Sequence, residues 1–89
     1  MKVVKLNRRY KMFKDHGHVM GLRFPSWNVQ ANKVEILCRN RLGSKWENGG
    51  WSAQFGSPNY TDGYGSKTYW ITFRNEEDLT MILLCLDNT

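Results

Sequence analysis

Residues 67 to 86 restrict the fold more than any other stretch, because a strand pattern there passes through one polar turn into a helix pattern. Tyr69, Ile71 and Phe73 alternate with Thr68, Trp70 and Thr72, and a strand points successive side chains to opposite faces, so the first three line a core. Asn75 then precedes Glu76, Glu77 and Asp78. An asparagine there caps free amides of a first helical turn, and the carboxylates sit at the positive end of the helix dipole. Leu79, Ile82, Leu83 and Leu86 recur at i, i+3, i+4 and i+7, which gathers them into a stripe that lies on the sheet. Met81, Leu84 and Cys85 extend the apolar surface beyond that stripe. The helix is therefore covered either by the rest of the domain or by a second copy, which makes a homo-oligomer through the C-terminal helix one reading of the chain.

Eighty-nine residues make one domain, residues 1–89, and a chain of this length buries roughly 60 to 65 % of its unfolded surface. A hydrophobic fraction of 40 % with four each of Trp, Tyr and Phe supports a packed core without disulfides. Cys38 and Cys85 fall in apolar helical patterns, and neither a signal peptide nor a run of about 18 apolar residues is present. A reducing, cytoplasmic setting with free thiols and no membrane contact is the expectation.

At the N-terminus Val4, Leu6, Tyr10 and Met12 share one parity, and Met20, Leu22 and Phe24 repeat it after Asp15-His16-Gly17. Two strands joined by a turn fit this, with Gly17 supplying a positive φ. A short helix over residues 8–16 capped by Gly17 competes with it. In the hairpin, Lys5, Lys11 and Phe13 take the opposite parity, so basic groups flank an exposed aromatic. Pro25 stops the second strand, and Ser26 is placed to cap a helix whose positions Trp27, Ala31, Val34, Cys38 and Leu42 step by three or four and end at Gly43. Trp51 to Phe55 reads as a strand pairing with residues 67–73, and residues 56–66, with Tyr60 and Tyr64, read as a surface loop. The assembled order is ββαββα, an α+β fold with an antiparallel or mixed sheet and two helices on one face.

Charge is divided unevenly along the chain. The basic half, residues 1–45, holds eleven Lys and Arg against two acids, whereas the acidic half, residues 46–89, holds two against six. A basic face of Arg8, Arg9, Lys11, Lys14, Arg39, Arg41 and Lys45 is suited to phosphates or to an acidic protein surface. Phe13, Trp46, Tyr60, Tyr64 and Trp70 are the aromatic candidates for stacking on bases or filling a partner's pocket. Trp70 lies on the strand face opposite Tyr69, and is exposed only if that face is open.

Catalytic motifs are sparse. No phosphate-cradling or dinucleotide fingerprint and no zinc-type spacing of Cys and His occurs, so no cofactor and no metal are expected. His16-Gly17-His18 makes at most half a metal site. The expectation is a non-enzymatic binding protein whose partner is nucleic acid or an acidic protein.

Tyr69-Trp70-Ile71, Phe73, Asn75-Glu76 and Asp78, followed by an apolar helix, resemble small uncharacterised proteins encoded by tailed phages. The resemblance covers about 20 of the 89 residues and carries over no functional residue. It implies a phage accessory or regulatory role in the host cytoplasm, including that of an inhibitor of a host nucleic-acid-handling or defence enzyme.

Overall fold

The structure, a computed structural model, describes residues 1–7, 9, 11–46, 49–56 and 67–87, apart from the side chains of Lys11 and Met12. The elements run β1 (Lys2–Lys5), α1 (Lys11–Asp15), β2 (Met20–Phe24), α2 (Val29–Leu42), β3 (Trp51–Phe55), β4 (Tyr69–Phe73) and α3 (Glu76–Asp87). The strands form one antiparallel sheet in the order β1-β2-β4-β3. The fold is α+β, and its order is the expected one with a short helix added between the first two strands.

That added helix reconciles the two N-terminal readings. β1 and β2 do pair, with Val3 opposite Leu22 and Lys5 opposite Met20, but β1 ends at Lys5 and α1 occupies the connection. Gly17, at φ +73°, ends α1. Its amide donates to the Lys14 carbonyl and that of His18 donates to the Phe13 carbonyl, the pair of bonds that closes a helix on a left-handed residue. The helix turns Phe13 inward, so the exposed aromatic expected between basic groups is instead buried.

α2 begins two residues later than expected. Asn28, not Ser26, is the N-cap, its side-chain oxygen accepting from Ala31 N at 2.8 Å. Trp27 consequently precedes the helix and is exposed rather than part of its apolar stripe. Gly43 ends α2 as expected, at φ +94° with its amide donating to Arg39 O. Asn75 does stand immediately before α3; its carbonyl accepts from Leu79 N, and its side-chain amide donates to the Asp78 carboxylate at 3.3 Å.

Side-chain parity divides the sheet. On one face Leu22, Phe24, Tyr69, Ile71, Phe73 and Trp51 meet Ala31, Val34 and Cys38 of α2 and Leu79 and Ile82 of α3. Leu83 and Leu86 join that core partly buried. On the opposite face register aligns two rows: Lys2, Arg23, Trp70 and Gln54, then Val4, Gly21, Thr72 and Ser52. A second, smaller core forms there from Leu6, Phe13 and Trp70, with Val4 and Trp46 packed against it. Trp70 is therefore fully buried. Gly21 makes room for it: a Cβ at that position would lie 3.2 Å from Trp70 Cε3 and 3.3 Å from Leu6 Cδ2.

Candidate functional site

Connectivity brings the basic segments toward one end of the sheet. α1 leads into the start of β2; α2 leaves the far end of β2 and returns, so its last turn lies at the end where β3 begins and β4 finishes. Lys14 stands in the last turn of α1, and Arg39 and Arg41 in the last turn of α2. Cations there also complement the negative end of the α2 dipole. Arg9, Lys14, Arg39 and Arg41 are exposed.

Trp46 is the aromatic centre of this end. Its ring lies 5.0 Å from that of His16, 5.2 Å from that of His18 and 5.5 Å from that of Phe13, all tilted. It is half-buried and has φ +63°, the sole non-glycine residue with a positive φ among those described. A bulky L-residue is strained in that region. Two backbone bonds hold it there: Trp46 N donates to Trp51 O at 2.6 Å, and Gly50 N donates to Trp46 O at 2.9 Å. Strain sustained by surrounding bonds is a mark of positions where side-chain placement matters.

Behind Trp46 lies a sealed polar chain. His18 Nδ1 is 2.8 Å from Thr72 Oγ1, which is 2.6 Å from Ser52 Oγ, and all three residues are fully buried. Burial, reinforced by His16 and then Arg74, lowers the His18 pKa from 6.5 to about 4, so the imidazole is neutral at ordinary pH. His18 Nε2 has no hydrogen-bond partner among the described residues. Ser52 and His18 have no access to solvent, which leaves this hydroxyl–imidazole chain a structural bracket across β3, β4 and the α1–β2 connection. Arg74 closes the rim. Its backbone amide donates to Gly50 O at 2.7 Å, and its guanidinium is so near Gly50 that a Cβ there would sit 3.1 Å from Nη2. Glu76 and Glu77 share a shallow depression with it.

Lys45 has a different task from its neighbours. Its Nζ is 3.8 Å from Glu35 Oε1 and 5.9 Å from the centroid of the Trp51 ring, while Tyr69 donates its hydroxyl to the same carboxylate oxygen. Glu35 is buried, so Lys45 compensates a charge that would otherwise be stranded. Burial first, then the bond to Glu35, raises the Tyr69 pKa. Arg39, Gly43, Ser44 and Lys45 line an open depression beside this cluster.

The structure thus gathers Lys14, Trp46, Arg39, Arg41 and Lys45 toward one end, with Lys45 engaged by Glu35. It removes Phe13 and Trp70 from the stacking candidates, since each is buried in the second core. Arg8, Tyr60, Tyr64 and the Lys11 side chain lie outside the described residues. His16, against the Trp46 ring, is a member of the cluster that sequence reasoning weighed only as half of a metal site. Among the described residues no three His, Cys, Asp or Glu stand together as a metal would need, and no helix is long and apolar enough to cross a membrane. No protein-family model, curated protein or solved structure matches this chain.

Proposed function

We propose that this protein is a non-enzymatic binding module that engages single-stranded nucleic acid at the basic end of its sheet. Lys14, Arg39 and Arg41 neutralise phosphates, and Trp46 with His16 offers the ring surface on which a base stacks. The observation that carries the reading is the half-buried Trp46 ring, held at a strained positive φ at the end of the sheet toward which the exposed Lys14, Arg39 and Arg41 also lie. Duplex is the poorer ligand, because its bases are already stacked on one another and present only their edges. Lys45 is left out of the contact set because it answers the buried Glu35 carboxylate.

The test is fluorescence anisotropy of labelled single- and double-stranded DNA and RNA, with wild type, a Lys14→Gln/Arg39→Gln/Arg41→Gln variant and Trp46→Leu. The expected result is tighter binding of single strands, lost in the triple variant and weakened in Trp46→Leu, with circular dichroism unchanged in each. Removing an aromatic side chain on which a base stacks costs roughly 1–3 kcal/mol per stacked base. Absence of binding at low salt excludes nucleic acid and leaves an acidic protein surface as the partner to test for these cations. In that case inhibition of a nucleic-acid-handling enzyme becomes the reading to pursue.

A further inference from the structure

The helix layer carries an outer surface that the fold leaves uncovered. α2 and α3 run antiparallel over the same sheet face, since they leave β2 and β4 from opposite ends and each returns along the sheet. Helical spacing places Val29, Lys33 and Ile36 on the side of α2 away from Ala31, Val34 and Cys38, with Arg39 on its flank. Val29 is 70 % exposed and Ile36 44 %, and both cations are exposed. On α3 the same spacing places Glu77, Thr80, Leu84 and Asp87 away from Leu79 and Ile82. Leu84 is 59 % exposed, and Glu77 and Asp87 are exposed. One helix thus presents an isoleucine between cations, and its neighbour a leucine between carboxylates.

We propose that this surface is a self-association face, on which two copies pack about a two-fold axis parallel to the helices. Such an axis sets α2 of each copy against α3 of the other and keeps the pair antiparallel, so the basic last turn of α2 meets the acidic first turn of α3. Lys33 then lies toward Asp87 and Arg39 toward Glu77, and each contact occurs twice, as a closed isologous interface requires. A second copy fits better than an unrelated partner because both halves of the complementary pattern belong to one chain. A stable complex usually buries about 800 Å² per partner, which is about 15 % of the 5322 Å² accessible surface of this chain. The interface leaves Lys14 and Trp46, on the other side of the sheet, open, but it engages Arg39, so a second copy and a phosphate compete for that one cation.

Sedimentation equilibrium of the full chain over roughly 10 µM to 1 mM at low salt tests this. The expected result is a mass rising from the 10.5 kDa of one chain toward twice that value, and no further. Leu84→Glu should hold the protein at one chain mass with an unchanged urea midpoint, as its side chain is exposed. Lys33→Glu should raise the dimer dissociation constant roughly tenfold, since each exposed pair contributes little but is altered twice per dimer. Lys33→Glu combined with Asp87→Lys should recover most of that loss, which a merely destabilised fold would not. A single-chain mass for wild type at every concentration overturns the proposal. Mass climbing past two copies overturns the two-fold arrangement, and a dimer indifferent to Leu84→Glu overturns the choice of face.

Discussion

Acidification should destabilise this fold in a window set by one buried imidazole. His18 is fully buried against Thr72 and has a pKa lowered to about 4 from 6.5. Between those values the unfolded chain binds a proton that the folded chain refuses, so stability is full above pH 6.5 and declines as pH falls. The loss levels off near pH 4, where the folded state accepts the proton as well. From pH 7 to pH 5 the linkage integral for this pair of values comes to about 2 kcal/mol. Ordinary carboxylates titrate mostly below that window, so it reports largely on histidine. A domain of this size has a total stability of roughly 4–13 kcal/mol, so the change is readily measured. Urea unfolding followed by tryptophan fluorescence at pH 7, 6 and 5 is the assay, with His18→Gln as the non-titrating control. The variant is expected to be less stable at pH 7 but nearly flat across the window. A wild type equally stable at pH 7 and pH 5, or a variant with the same decline, would refute the burial argument.

Three further outcomes follow from the packing. Gly21→Val should cost roughly 1–3 kcal/mol, because a side chain there meets the Trp70 ring and Leu6; a neutral urea midpoint would mean that Trp70 is not packed over Gly21. Asn28→Ala should cost about 1 kcal/mol through loss of the bond to Ala31 N, whereas Ser26→Ala should leave the midpoint in place. Burial first, then Glu35 and Asp78, pushes the Cys38 thiol up to about 12; the native protein at pH 8 should therefore yield no more than one reactive thiol to Ellman's reagent and two when denatured.

The elements that were legible in the sequence are those whose pattern is local. β4 and α3 could be read because alternation and a three-to-four step each fit within one segment, and both fix which side chains reach the core. Gly43 was legible for the same reason, as a residue able to adopt the left-handed backbone that ends a helix. α1 was legible only as the competing reading over residues 8–16 capped by Gly17, since five residues are too few for a periodic signal and Phe13 reads equally well as a strand residue. The choice between Ser26 and Asn28 was equally hidden: either can cap, and only the path of the chain after Pro25 decides which amides come within reach. The second core was least visible. Trp70 sits between threonines in a strand that looks half-polar, and Leu6, Phe13 and Trp46 reach it from distant segments. The His18–Thr72–Ser52 chain likewise joins separate segments, and no local pattern announces it. Of the candidate site, charge asymmetry pointed to the cations, but the division between Lys45, committed to Glu35, and the exposed Arg39 and Arg41 needed tertiary contacts.

The proposed interface is tested most directly by the salt dependence of binding to a single-stranded oligonucleotide. Lys14, Arg39 and Arg41 contacting one phosphate each would give a slope of log affinity against log salt of about −2, from roughly −0.7 per contact. A slope at least that steep is expected in the wild type, and a much flatter one in the Lys14→Gln/Arg39→Gln/Arg41→Gln variant. Affinity that ignores salt, or a slope unchanged by removing those three cations, would contradict the proposed interface.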